Sequence, residues 1–312
     1  MKIFIIVLII LLILYLITTY IMFVLVSKKS GSISLPMTKN VEKALEPYKD
    51  MREQGTKWIE NKIKNKEVKD VYIKSNDNLK LHGIFIENKK NKGIIIETHG
   101  YRSVASRDLY PSCFNYYNMG YSLLIIDFRT SNLSEGKYIT FGIKESEEVI
   151  SWVKYLNKKY KSNIYLAGIS MGATAILMSL KDLKEKMNVK AVVVDCGYIS
   201  PYDEVLYCIK QFFHINGLFF IGMINIWCIL LAKFSLKEKN TISCMKDSNI
   251  PILFIHGLED DFVPSSNSRI NYEEYNGPKE LELFPNANHG ISYLVDPDRY
   301  IKVIKKFLNK YK

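Results

Sequence analysis

At 312 residues the chain is long enough for one large α/β domain or two small ones, and its 48% apolar content excludes wholesale disorder. The formal charge is +11, and residues 28–92 alone hold 16 Lys/Arg against 9 Asp/Glu. Because that basic stretch follows an apolar segment, it suits anionic lipid headgroups, and no Arg/Lys cluster with interleaved aromatics marks a nucleic-acid module. Five cysteines (Cys113, Cys196, Cys208, Cys228, Cys244) without CxxC spacing argue against a disulfide framework or a zinc site. They read as small buried residues in a reducing compartment.

Ile3 to Val26 is an apolar run of 24 residues broken only by Thr18 and Thr19. At about 1.5 Å per residue it exceeds the roughly 30 Å hydrocarbon core of a bilayer. The run ends in Leu25-Val26-Ser27-Lys28-Lys29 rather than in a small-residue cleavage site, so residues 1–29 are expected to be an uncleaved single-pass anchor. Lys28, Lys29, Lys39 and Lys43 on one flank, against Lys2 and the α-amine on the other, place the following domain on the cytoplasmic side.

Residues 30–66 form a linker (Ser30 to Pro36) and an amphipathic helical segment. Val41, Leu45, Tyr48, Met51, Trp58 and Ile63 recur at helical spacing, and Pro47 starts or kinks the helix. Trp58 is expected to pack on the domain rather than lie on a membrane.

From residue 67 to 312 strands alternate with helices. Val68–Lys74 and Leu79–Glu87 read as a hairpin around Ser75-Asn76-Asp77-Asn78. Short apolar strands follow at Ile94–Ile96, Leu123–Asp127, Asn163–Ala167, Ala191–Val194, Ile252–Ile255 and Leu281–Phe284. Helices are expected at 105–119, 144–159 and 296–311. This alternation implies a mostly parallel sheet covered on both faces, with ligands beyond the carboxyl ends of the strands. His99-Gly100-Tyr101, Ser170, Asp195 and the Asp260 loop should therefore share one face. Residues 201–246 interrupt the pattern with Phe212, Phe213, Leu218, Phe219, Phe220, Trp227, Leu230 and Leu231. A second span over Leu218–Ala232 is disfavoured, because it would put two strands of one sheet on opposite sides of a bilayer. An apolar lid over the strand ends fits better.

The chemistry concentrates at Gly168-Ile169-Ser170-Met171-Gly172, which joins a buried strand to an Ala/Leu/Met-rich helix. Strand, Gly-x-Ser-x-Gly and helix in that order describe a nucleophile elbow. The glycines relieve crowding around a strained serine, and the Met171 N–H lies free at the positive end of the helix. A serine needs a base, and an acid to orient that base. By residue type alone, Asp260 and Asp261 are equivalent candidates for the acid, and Asp195 is a third, read instead as a cap on the turn before Pro201.

Four segments, Thr98-His99-Gly100-Tyr101, Gly168–Gly172, His256-Gly257-Leu258-Glu259-Asp260-Asp261-Phe262-Val263-Pro264 and Ala287-Asn288-His289-Gly290, occur in the order Ser, Asp, His. With them the chain from about 68 to 311 resembles the α/β-hydrolase superfamily, in particular membrane-anchored bacterial serine hydrolases related to prolyl-oligopeptidase catalytic domains. The resemblance implies an α/β-hydrolase fold with an eight-stranded sheet and a lid at about 201–246. It also implies Ser170 as nucleophile, His289 as base, Asp260 as acid, and the backbone N–H groups of Tyr101 and Met171 as an oxyanion hole. The other histidines read differently: His82 lies in a strand, His214 in the lid, and His99 and His256 at strand ends as structural hydrogen-bonding groups. One departure stands out. Where many relatives carry Asp-x-Arg-Gly-x-Gly, this chain has Asp127-Phe128-Arg129-Thr130-Ser131-Asn132, with Asp127 and Arg129 read as structural.

The expected activity is hydrolysis of a small-molecule or lipid-like carboxylic ester with an apolar acyl group through an acyl-enzyme, without metal or organic cofactor and without nucleic acid. A peptidase and an inactive membrane-bound binding protein are the alternatives. Against the peptidase, the roughly 40 residues between anchor and sheet cannot form a propeller or gating domain.

Overall fold

A computed structural model describes residues 1–28 and 45–312. The linker at 30–36 and the beginning of the helical segment at 38–44 lie outside the described residues, as do the side chains of Phe212 and Phe213.

Eight strands form one sheet: β1 (Val68–Lys74), β2 (Lys80–Ile86), β3 (Ile94–Thr98), β4 (Ser122–Ile126), β5 (Ile164–Ile169), β6 (Val189–Asp195), β7 (Ile252–Gly257) and β8 (Lys279–Phe284). Their order is β1-β2-β4-β3-β5-β6-β7-β8. β2 pairs antiparallel with β1 and β4, and every other pairing is parallel. β3, β4, and the first four residues of β5 are buried throughout, as expected of strands covered on both faces. The connection reverses direction between β3 and β5, and in such sheets the crevice at that reversal takes the ligand.

The principal helices are α1 (Lys2–Ser27), α2 (Lys49–Lys64), α3 (Tyr110–Met119), α4 (Ile143–Lys159), α5 (Met171–Ser179), α6 (Pro201–Phe213), α7 (Leu218–Trp227), α8 (Ser266–Glu274) and α9 (Pro297–Lys310). On one sheet face, Trp152, Val153 and Leu156 of α4 and Ile176 and Leu177 of α5 pack with Ile96, Leu124, Leu166 and Val192. On the other, Ile59 of α2, Cys113 of α3 and Ile304 and Phe307 of α9 pack with Ile95, Ile125, Tyr165 and Val193. Trp58 does pack on the domain, its ring 5.1 Å from that of Tyr117. The helix expected over 105–119 is broken: a short turn at Ala105–Asp108 precedes α3, whose first turn carries Pro111.

A third cluster joins α1 to the 201–246 segment. Met22 and Phe23 of α1 are buried with Phe141, Ile143, Val205, Ile209, Ile221 and Ile224. α1 is long and apolar enough to cross a membrane, with mean hydropathy 3.0, and Ile3 through Leu14 are exposed. Its last turns do not hang free of the domain. The Ile139 N–H donates to Ser27 O at 2.6 Å, and the Trp227 indole N–H donates to Thr19 Oγ1 at 3.1 Å.

The loop after β4 has no glycine at positions 130 and 132. Thr130 and Asn132, which stand where the resembling family has Gly, have φ of 68° and 42°. A β-branched residue in the left-handed region is costly, on the order of 1–2 kcal/mol. The loop is held by Ser134 Oγ donating to Asp127 O at 2.7 Å and by Arg129, which pairs with Glu148 at 2.6 Å and Asp77 at 3.0 Å. Arg129 is therefore structural. So is Asp127, which bonds His82 Nδ1 at 2.6 Å.

Candidate active site

Ser170 sits at the hinge between β5 and α5 with φ 54° and ψ −122°, a conformation that L-residues rarely adopt. The surroundings enforce it. The Ser170 N–H donates to Asp195 O at 2.8 Å, and Ser170 O accepts from the Thr174 N–H at 3.0 Å. A Cβ on Gly168 would fall 2.3 Å from Thr98 Oγ1 and 2.8 Å from the Gly172 carbonyl carbon. One on Gly172 would fall 2.5 Å from Thr98 O and 2.7 Å from His99 O. Both glycines are thus required by the close approach of β3 to the elbow.

Ser170 Oγ lies 2.9 Å from His289 Nε2, and His289 Nδ1 lies 2.7 Å from Asp260 Oδ2. The three come from the ends of β5 and β7 and from the loop between β8 and α9, up to 119 residues apart. Asp260 is separated from its neighbour by its bonds. It is buried, and its Oδ1 accepts from the Phe262 and Val263 N–H groups at 3.0 and 2.8 Å. Asp261 is exposed. Burial pushes the Asp260 carboxyl up, but His289 and His256 outweigh it and hold the group well below the usual range. Burial opposes protonation of His289, yet the adjoining Cys196 and Asp260 side chains together prevail and raise its pKa above the ordinary 6.5. The Phe262 ring packs edge-on against the imidazole, with centroids 4.9 Å apart.

Met171 is the first residue of α5, where a backbone N–H has no intrahelical acceptor, and Tyr101 follows Gly100 across the cleft. The Gly100–Tyr101 loop is pinned from two sides. The Gly100 N–H donates to Asp108 Oδ2 at 2.8 Å, and the Tyr101 hydroxyl donates to Val26 O of α1 at 2.6 Å. Arg102 donates to Leu25 O and, at 3.2 Å, to Lys28 O.

None of the remaining described histidines bonds Ser170, although His256 Nε2 lies 3.1 Å from Asp260 Oδ2. His256 bonds Ser268 Oγ at 2.7 Å and Val263 O at 2.9 Å, fixing the Asp260 loop. His99 Nε2 accepts from the Phe128 N–H at 3.2 Å, and His214 is exposed. Asp195 does not cap the helix before which it lies. Ser200 does that, accepting from the Asp203 N–H, while Asp195 accepts from Ser292 Oγ at 3.3 Å and is pushed up to about 6 by burial. Two residues carried no sequence signal. Asp108 reaches Gly100 from a short helical turn, and Cys196 puts its sulfur 4.0 Å from His289 Nε2. Burial pushes that thiol up to about 12, so it is neutral at physiological pH. Cys196, Asp260 and His289 offer three potential metal-ligand atoms within 4.8 Å of one another, but both His289 nitrogens already face Asp260 and Ser170.

Ser170 and His289 open into a cavity of about 110 Å³ walled by Tyr101, Arg52, Asp108, Phe262, Ile291 and Leu294 among others. Among the described residues, none that lines it comes from the 201–246 segment expected to roof it. That segment meets the margin of the site, where the Tyr207 hydroxyl of α6 donates to Asp261 O at 3.2 Å and Tyr101 packs against the cluster that holds Val205 and Ile209. Phe219, Phe220 and Trp227 turn to α1 instead, and the buried face of α7 is taken up by Met22 and Phe23.

Comparison with known proteins agrees with the fold. The X-Pro dipeptidyl-peptidase (S15 family) model matches residues 44–224, more than half of the chain, and a model of PhoPQ-activated pathogenicity-related protein matches residues 236–311. The chain is 25% identical over 197 residues to protein YqkD of Bacillus subtilis, covering 62% of this chain and 64% of that protein's length. It is 23% identical over 253 residues to the alpha/beta hydrolase domain-containing protein WAV2 of Arabidopsis thaliana, covering 78% and 79%. Among solved structures, the Pyrococcus furiosus esterase Pf2001 superposes with a TM-score of 0.64 at 27% identity, over 78% of this chain and 93% of that one. Eight mostly parallel strands, an elbow serine facing a histidine, and a family match over most of the sheet lead to one assignment. The chain belongs to the X-Pro dipeptidyl-peptidase (S15) family and is a serine hydrolase of the α/β-hydrolase fold.

Proposed function

We propose that the chain hydrolyses small carboxylic esters with an apolar acyl group through a Ser170–His289–Asp260 triad and an acyl-enzyme, while α1 holds it to a membrane. The observation that carries this reading is the continuous Oγ–Nε2, Nδ1–Oδ2 chain at 2.9 and 2.7 Å. His289 Nε2 takes the Ser170 proton as Oγ attacks the carbonyl carbon. The Tyr101 and Met171 N–H groups receive the developing oxyanion, each such donor contributing roughly 3 kcal/mol to the transition state. Asp260 stabilises the imidazolium, which then protonates the departing alkoxide. Water enters, gives its proton to His289, and attacks the acyl-enzyme, and the returning proton frees Ser170.

The cavity bounds the acyl group. A dry cavity of about 150 Å³ accommodates benzene, so 110 Å³ suits a short chain or a small ring rather than a long alkyl tail held inside. Membership of the S15 family favours a second reading, cleavage of an aminoacyl amide. Rates on p-nitrophenyl esters of increasing acyl length, measured beside aminoacyl p-nitroanilides, separate the two. The ester reading expects the highest kcat/KM on a short ester, and amides cleaved faster than every ester would overturn it.

A further inference from the structure

α1 is not the only apolar surface left uncovered. From Leu218 to Ala232, through α7 and the turn after it, the chain carries no charge. Leu218, Phe219, Ile226, Ile229, Leu230 and Leu231 are exposed, the first two by 64% and 70%. Single exposed apolar residues are ordinary, whereas six within fourteen positions mark an interaction surface. The other side of α7 is spent on the core, through Ile221, Ile224 and Cys228.

The exposed side of α7 continues that of α1. The Tyr15 hydroxyl donates to Phe219 O at 2.8 Å, and the two rings meet at 5.1 Å. Further along, Trp227 packs edge-on against Tyr20 at 5.5 Å. These contacts fix the depth of α7 along α1. α1 enters the domain at Met22 and Phe23, and Tyr15 precedes Met22 by seven residues, about 10 Å at 1.5 Å per residue. The Phe219 end therefore lies deepest and the Trp227 end near the surface. Exposed lysines flank the stretch, Lys210 before it and Lys233 and Lys237 after it, where a headgroup layer would meet them. Crossing is ruled out by connectivity, since β6 and β7 on either side pair in one sheet.

We propose that α7 is an interfacial helix inserted into the same bilayer leaflet as the second half of α1, with Phe219 about 10 Å deeper than Met22. The proposal rests on the reading of α1 as a membrane anchor. A lipid surface, rather than a second protein, is the occupant because the patch is one uncharged surface with a 26-residue helix of membrane-spanning length. It sets the cleft at the membrane. Tyr101 of the oxyanion loop bonds Val26 of α1, so an ester held among the headgroups meets Ser170 without crossing bulk water.

The full chain in phosphatidylcholine–phosphatidylglycerol vesicles tests this. Bimane is attached at Phe219→Cys, at Ile10→Cys or at Lys184→Cys in a Cys208→Ser background, the other four cysteines being buried. Lys184 is exposed on a surface loop and serves as the aqueous reference. The expected result is that nitroxide lipids quench the labels at 10 and 219 several-fold more than the label at 184, and aqueous iodide does the reverse. A label at 10 in lipid with one at 219 in water overturns the interfacial helix and leaves the anchor standing. Both labels in water overturn the anchor as well. A label at 219 shielded from both quenchers identifies a second protein copy as the occupant, and also overturns the proposal.

Discussion

The elbow and the α1–α7 contact both adjoin the Gly100–Tyr101 loop, but they are held by different forces. At the elbow, position is enforced by backbone. Ser170 is kept at positive φ by hydrogen bonds to Asp195 O and from Thr174, and Gly168 and Gly172 admit β3 to distances that no side chain tolerates. Where α1 meets α7 and the Tyr101 loop, position comes from side-chain packing and a handful of hydrogen bonds, which yield by small shifts. The difference teaches that substitutions of similar size should act on chemistry at the first place and on positioning at the second.

The largest effect is expected at the acid. Asp260→Asn should lower kcat about 10⁴-fold, because the imidazole loses its orientation and its counter-charge. Asp261→Asn, on an exposed side chain, should change kcat by about twofold at most. Equal losses in steady-state assays of the two variants would contradict the assignment of Asp260. Next in size is Gly172→Ala, whose new methyl meets two carbonyl oxygens of β3 and its loop. It should destabilise the protein by about 3 kcal/mol, at the upper end of overpacking costs, and unaltered urea denaturation would show that the elbow is less rigid than described.

A pH profile sharpens the same contrast. His289 must be neutral to accept the Ser170 proton, and it is held above its ordinary value against the opposing effect of burial. As pH falls through that raised pKa the base is lost, so kcat/KM should drop about tenfold per unit below a midpoint above 6.5. A midpoint below 6.5 would mean that burial outweighs the neighbouring Cys196 and Asp260. The smallest effect is expected from the α1 side. Tyr101→Phe removes one hydrogen bond to Val26 O, a net change of about 1 kcal/mol, and should lower kcat less than tenfold while leaving KM unchanged. A loss as deep as that of Asp260→Asn would place the α1 tether within the chemistry itself.

The same contrast explains how much could be read from the sequence. Strand, Gly-x-Ser-x-Gly and helix are consecutive, so the elbow and the sheet alternation are legible as local pattern. The order Ser170, Asp260, His289 is legible through its resemblance to a known family, and the geometry brings those residues together. Cys196 beside His289 and Asp108 beneath Gly100 are not legible, because each depends on where a loop end lands against a distant element. Composition flags 201–246 as an apolar segment but does not say what it covers. The lid expectation followed from position after β6, whereas Phe219 and Trp227 find Tyr15 and Tyr20 of α1. The start of the loop after β4 shows the converse. Thr130 and Asn132 accept left-handed backbone because Arg129, Glu148 and Asp77 fix the loop from outside.

The central claim is that Ser170 is a nucleophile activated by His289. Intact-protein mass spectrometry after treatment with a fluorophosphonate measures it most directly. The expected result is one covalent adduct, mapped to Ser170 and absent in Ser170→Ala. A folded wild-type chain that takes no label, or a label that persists in Ser170→Ala, would contradict it.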